Sequence, residues 1–345
     1  MTRVHLVNSG AICAIGIGTA QCSAAFRAGL SGYVQSALHG RCGEPLTMAL
    51  VPELDLEPLS DALLEQPLGD RERRMLRLGG AALRQVSDHV ERPLPMFLAL
   101  PEPEPGKPAH SGRGFLEHLA TQAALPLAID TSRYFELGRA GGLYALQAAL
   151  DALRAGQDSA LVCGIETCLD LPWVARLDHE RRLLGPDVKD GFVPGEGAAV
   201  LHLSRTAVSG ASLIAAVGTA EDLGHRYSEA PALGVGLANA LEDARARLPA
   251  LEPVRTCFAG LNGEAFGAKE WGVAHIRHHD LFDRELAFEH PADCFGDVGA
   301  AMGPLLIALA DETLRSGHRA GPMLIWASSD HAPCACAYLA AGGTL

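Results

Sequence analysis

The chain has 345 residues, 48% of them hydrophobic, with 38 glycines and a formal net charge of −13. That apolar share supports a sizeable core, no apolar run approaches the roughly 20 residues of a membrane-spanning helix, and the acidic balance excludes the clustered Lys and Arg face of a nucleic-acid binder. The start MTRVHLVNSG lacks a signal-peptide pattern, and nine scattered cysteines without CxxC spacing give neither a zinc site nor a disulfide framework, so the expected compartment is the reducing cytoplasm.

In chain order, short aliphatic or β-branched runs predict strands over 4–8, 96–100, 160–163, 198–203, 213–217, 256–260, 323–327 and 334–339. Ala/Leu-rich periodic stretches between them predict helices over 19–28, 72–89, 141–155, 234–247 and 298–316. Strands alternating with helices imply parallel strands with crossover connections. The alternation runs once before about residue 204 and again after about 211, which predicts an N-terminal half over 1–205 and a C-terminal half over 206–345 in one compact unit. The Pro-rich stretch 101–114 predicts a surface loop. Arg71, Arg73, Arg74 and Arg77 form the best basic patch for an acidic partner, with a solvated helix face as the plainer reading. HIRHHD at 275–280 resembles a metal motif only loosely and reads as an exposed polar strand or loop, so no metal and no cofactor is expected.

The sharpest motif is DGFVPGEGAAV over 190–200, in which Gly195 and Gly197 permit backbone geometry closed to other residues and Glu196 is placed to cap nearby amides. This string resembles the DGFVxGEGAAVLVLE segment of the β-ketoacyl synthases, where it is a structural turn and strand, so Glu196 is expected to be architectural. VHLVNSGAICAIGIG near the start, FRAGLSGY over 26–33 and ALRAGQDSALVCGIETCLD over 152–170 follow in the same family's order. The resemblance implies an α/β chain with the duplicated, five-layered αβαβα thiolase fold, usually a dimer.

Decarboxylating condensation needs a thiolate at a helix N-terminus and two histidines to support the developing charge. The resemblance places RAGGLYAL, over 139–146, where the family opens its buried helix with the nucleophilic cysteine, so Arg139 stands in the cysteine's place. A guanidinium stays protonated and cannot be acylated, and its charge opposes the helix dipole, so a compensating anion is expected. Counting back eleven positions from Glu270 puts Ala259 at the first histidine, with Asn262 and Glu264 as polar groups of the same loop that hold either the loop or a ligand. Asp297, in CFGDVGAAMGP, falls at the second histidine or serves as an N-cap, and SSDHAPCACAYL over 328–339 lacks the family's glycine-rich turn. Arg139, Asn262, Glu264 and Asp297 are therefore the candidate binding residues, no residue is a catalytic candidate, and Arg139 is expected to pair with Asp297, with Glu264 or Glu136 as the fallback.

The expected function is a noncatalytic or repurposed homologue of these synthases: a dimer partner, a binder of an acyl group or acyl-carrier protein, or a scaffold. A homodimer or a heterodimer with a related synthase would form, with the strand at 160–163 or its flanks at the interface. Two alternatives stay open. One is an acyltransferase with a displaced nucleophile, using Cys257 or Cys294 with one of His5, His225, His275, His278, His279, His290 or His331; the other is an adaptor or chaperone for another protein.

Overall fold

A computed structural model describes residues 3–103, 112–248 and 252–342. The first half of the chain supplies β1 (His5–Cys13), β2 (Gly16–Ile17), α1 (Thr19–Arg27), β3 (Tyr33–His39), β4 (Pro45–Ala49), α2 (Asp70–Arg84), β5 (Met96–Leu100), α3 (Gly112–Ala123), β6 (Arg133–Glu136), α4 (Gly138–Arg154), β7 (Ser159–Glu166), α5 (Leu171–His179) and β8 (Gly197–Ser204). The second supplies β9 (Ser212–Glu221), α6 (Val235–Ala246), β10 (Val254–Ala259), α7 (Ala265–Arg277), β11 (Phe282–Glu289), α8 (Ala292–Phe295), α9 (Met302–Arg315), β12 (Met323–Ser328) and β13 (Pro333–Ala340).

Strand order shows the duplication. One end of the sheet runs β6-β5-β7-β8-β1 and the other β11-β10-β12-β13-β9. In each, the first three strands are parallel and the fourth is antiparallel to both of its neighbours. The two ends join where β1 meets β9 at His5 with Leu213 and Leu6 with Ser212.

Three separate apolar clusters define five layers. α2 and α3 cover the outer face of the first sheet half, α6 and α7 that of the second, and α4 and α9 lie between the two halves. The inner helices pack closely because Gly142 has no side chain: a Cβ there would lie 2.1 Å from Pro304 Cδ. The glycines of the DGFVPGEGAAV motif act through the same kind of proximity rather than through a left-handed backbone. A Cβ on Gly195 would fall 2.4 Å from the Phe295 carbonyl oxygen, and one on Gly197 would fall 2.7 Å from that of Ile12. Glu196 is fully buried, accepting from the Val51 amide at 2.8 Å, Thr167 Oγ1 at 2.6 Å and Arg74 Nε at 2.7 Å, which gives it the architectural part expected.

The same contact removes the basic patch. Arg74 and Arg77 both pair with Glu53, Arg71 pairs with Glu166 and Asp170, and Arg73 donates to the carbonyls of Leu68, Leu64 and Gln66. The helix face is thus neither solvated nor offered to an acidic partner. Two other expectations are corrected. Only the first three residues of HIRHHD lie in α7, a 3-10 turn follows over His279–Leu281, and His278 between them is buried with Nε2 2.9 Å from the Ala238 carbonyl. Gly112, Arg113 and Gly114 open α3 rather than closing the Pro-rich loop, whose residues 104–111 lie outside the described residues. β7, which holds 160–163, is hydrogen-bonded along both edges, by β5 and β8, and the outer strands of the sheet are β6 and β11.

Helix α9 carries a charge into the centre of the molecule. Asp311 is 1% exposed, and burial pushes its carboxyl up to about 6 although Ser212 and Arg315 pull the other way. The folded carboxyl holds its proton where the unfolded one has lost it, so stability falls as pH rises from about 4 to about 6 and stays lower above that. Asp311→Asn should therefore raise stability by about 1–3 kcal/mol at pH 8 and much less at pH 4, measured by urea denaturation at both. An equal gain at the two pH values would mean that ionisation is not the cause.

Candidate functional site

Arg139 lies in the first turn of α4, where the helix opens between the sheet halves. Its guanidinium is drawn into a cluster of charges. Nη1 donates to Asp297 Oδ2 at 2.8 Å, Nη2 to Asp330 Oδ1, and Nε to the Ser328 carbonyl at 2.9 Å. The expected partnership with Asp297 is present, and Asp330 is a second anion that the sequence did not suggest. Asp297 stands in the segment that leads into α9, and its Oδ1 accepts from the Gly299 amide at 2.9 Å, so it also caps the turn beginning there.

Arg182 completes the cluster. It meets Glu264 through Nε at 2.9 Å and Nη2 at 2.8 Å, and Asp330 through Nη1 at 2.7 Å and Nη2 at 3.0 Å. Its face lies 5.3 Å above the Phe192 ring, and Tyr227 Oη links it onward to Glu180. Arg226 approaches Glu264 at 3.1 Å and Asp330 at 3.7 Å. Burial alone would raise the Asp330 carboxyl, but Arg139 and Arg182 hold it well below the usual carboxylate range. Burial likewise works against the Arg139 charge, and Asp330 and Asp297 reverse that, so the guanidinium stays protonated.

Asn262 Nδ2 bridges Glu264 Oε2 at 3.0 Å and Asp297 Oδ2 at 2.9 Å, and its Oδ1 accepts from the Glu264 amide at 3.1 Å. Asn262 and Glu264 thus spend their polar atoms on the cluster itself. Ala259 is not brought to it: its side chain packs in the outer core with Trp326 and Leu241. Glu136, a fallback partner for Arg139, is not needed. The turn after β12 fills the space at the start of α4, with Ser329 Oγ accepting from the Ala140 amide at 3.0 Å and bonding to the Leu137 carbonyl. What remains is a cavity of about 60 Å³, lined by Arg71, Glu102, Arg139, Glu166, Tyr227 and His331, with room for a few waters.

No cysteine is among the hydrogen-bonded residues of the cluster. Every cysteine but Cys42 is buried, and burial pushes the Cys163, Cys257, Cys294, Cys334 and Cys336 thiols up, away from the thiolate. Among the described residues no group of three or more His, Cys, Asp and Glu is placed to hold a metal, and no helix is long and apolar enough to cross a membrane.

A model of the β-ketoacyl synthase N-terminal domain matches residues 138–208, from the start of α4 past the end of β8. Solved structures extend the likeness over the whole chain. A structure of a ketosynthase in complex with its chain length factor, from Xenorhabdus doucetiae, matches with a TM-score of 0.78 at 15% identity, covering 99% of this chain and 98% of that one. The fold is that of the ketosynthases. The ishigamide ketosynthase/chain length factor matches at 0.77 with 19% identity over 98% and 99% of the two chains, and the ketosynthase from module 6 of the Bacillus subtilis bacillaene synthase at 0.76 with 13% identity over 98% and 72%. No curated protein sequence matches. Within the ketosynthase fold, then, the matched segment begins at the arginine-bearing turn of α4, and the charge cluster sits where both inner helices begin.

Proposed function

We propose that this protein is a noncatalytic ketosynthase homologue that serves as the partner subunit of a related, catalytic ketosynthase. The observation that carries the reading is Arg139, at the mouth of α4, fixed by Asp297 and Asp330 with no thiol within the cluster. A guanidinium cannot form an acyl intermediate, and the Ala140 amide, which could receive an oxyanion, is already occupied by Ser329. In this reading Arg139 stands at the family's cysteine and Asp297 at its second histidine. Asn262, rather than Ala259, stands at the first histidine, because it is the residue of that loop that reaches Asp297. The likeness to complexes of a ketosynthase with a chain length factor supports a heterodimer over an isolated chain. The open edge of β6 is the proposed pairing strand, since β6 leads directly into α4.

The test is acyl loading. After incubation with acyl-carrier protein or acyl-CoA thioesters, intact-mass spectrometry should find the chain unmodified, while a catalytic ketosynthase treated alongside gains the acyl mass. An acyl adduct on any cysteine would sink this reading and favour a displaced nucleophile.

A further inference from the structure

Asp330, in the turn between β12 and β13, is gripped by arginines on more than one side. Arg182 meets it fork to fork, Nη1 to Oδ2 at 2.7 Å and Nη2 to Oδ1 at 3.0 Å; Arg139 Nη2 bonds Oδ1, and Arg226 Nε lies 3.7 Å from that oxygen. Two parallel N–H···O bonds are the geometry in which a guanidinium recognises a free carboxylate. Asp297 and Glu264 differ from Asp330 in this respect: Asp297 also accepts from Asn262 and the Gly299 amide, and Glu264 from Asn262, whereas the hydrogen bonds of the Asp330 carboxylate go to arginines among the described residues. The charges also balance, with Arg139, Arg182 and Arg226 facing Asp297, Glu264 and Asp330. The turn that delivers the carboxylate is pinned on either side, by Ser329 on the Ala140 amide and by the His331 amide on Glu102 at 3.2 Å.

We propose that Arg139, Arg182 and Arg226 form a carboxylate-binding pocket and that Asp330, on the β12–β13 turn, fills it as a tethered ligand. The ligand class is a small monocarboxylate, because removing the Asp330 carboxylate leaves one buried positive charge without a partner. The proposal rests on the noncatalytic reading only in locating the pocket where a substrate would otherwise enter.

Chemical rescue tests it. Asp330→Ala keeps Cβ and lacks a group the size of formate; Asp330→Gly lacks one the size of acetate. Asp330→Ala should lower Tm by about 5–15 °C, and sodium formate should restore about half of that loss or more with a saturating dose response, while sodium chloride at equal ionic strength should not. Asp330→Gly should favour acetate over formate, and the wild-type protein should respond to formate no more than to chloride. Equal effects of formate and chloride on Asp330→Ala, or a wild-type response matching the variant's, would overturn the pocket. If Asp330→Ala is recovered only as insoluble protein, refolding in formate should return it to solution, and insolubility in formate and chloride alike would also overturn it. Acyl loading is measured on the wild-type protein, so failure of rescue leaves the noncatalytic reading standing, and an acyl adduct there leaves the pocket standing.

Discussion

Replacing Arg182 with alanine should be among the most damaging single changes in the molecule, at a cost of about 3–5 kcal/mol in urea denaturation. Its side chain is 5% exposed and makes paired hydrogen bonds to both Glu264 and Asp330. Without it, two carboxylates stay buried with one guanidinium fewer between them, so the cost is that of stranded charge more than of lost attraction. Arg182→Lys should recover little, because a single ammonium cannot present two parallel donors to each of two carboxylates. Asp330 adds a pH signature. Its depressed carboxyl contributes stability that is in place above the unfolded value near pH 4 and drains away as pH falls toward the folded one, so Asp330→Asn should flatten the acid limb of the wild-type stability profile. A loss below about 1 kcal/mol for Arg182→Ala would show that the cluster rearranges and that its charges are not bound to one another as described.

A cysteine placed at Arg139 should not create a condensing site. Arg139→Cys should destabilise by about 3–5 kcal/mol and should still fail to take an acyl group, because Ser329 remains on the Ala140 amide and the β12–β13 turn still fills the space. Combined with Asp297→His, the loss should fall short of the sum of the single losses by about 0.5 kcal/mol or more, since the two residues share a 2.8 Å contact. Because Arg139 also holds Asp330, its coupling to Asp297 is only part of its total, and a double-mutant cycle of Arg139 with Asp330 should give the stronger coupling of the two. Strict additivity in both cycles would remove the cluster as an energetic unit.

Much of the architecture could be read before any coordinates. β5 appears at the limits expected, and the other seven predicted strands and all five predicted helices lie within a few residues of theirs, because aliphatic runs and Ala/Leu periodicity are local signals. The short strand β2, the hairpin strands β3 and β4, the edge strands β6 and β11, and helices α3, α5, α7 and α8 went unread. The strands among them are short or half-exposed, so tertiary pairing decides their state more than propensity does. In the site, the pairing of Arg139 with Asp297 followed from charge compensation at two helix starts. Counting back from Glu270 assumes a loop of fixed length and led to Ala259, which packs in the outer core, whereas the residue of that loop that reaches Asp297 is Asn262. Arg182, Arg226 and Asp330 carried no signal, since RR, HR and SDH are common surface strings and only the fold brings them together; the one hint was that SSDH replaced a glycine-rich turn.

The balanced cluster of three arginines and three carboxylates also constrains the history this chain can have. Any one-residue step that removes a charge passes through a protein with an uncompensated buried charge, and replacing the cluster by small uncharged groups needs several substitutions at once, on α4, near Phe192, and in the loops after β9, β10, α8 and β12. Purifying selection on stability alone is then enough to keep all six residues together through divergence, as a ratchet in which each charge holds the others in place whatever the site is used for.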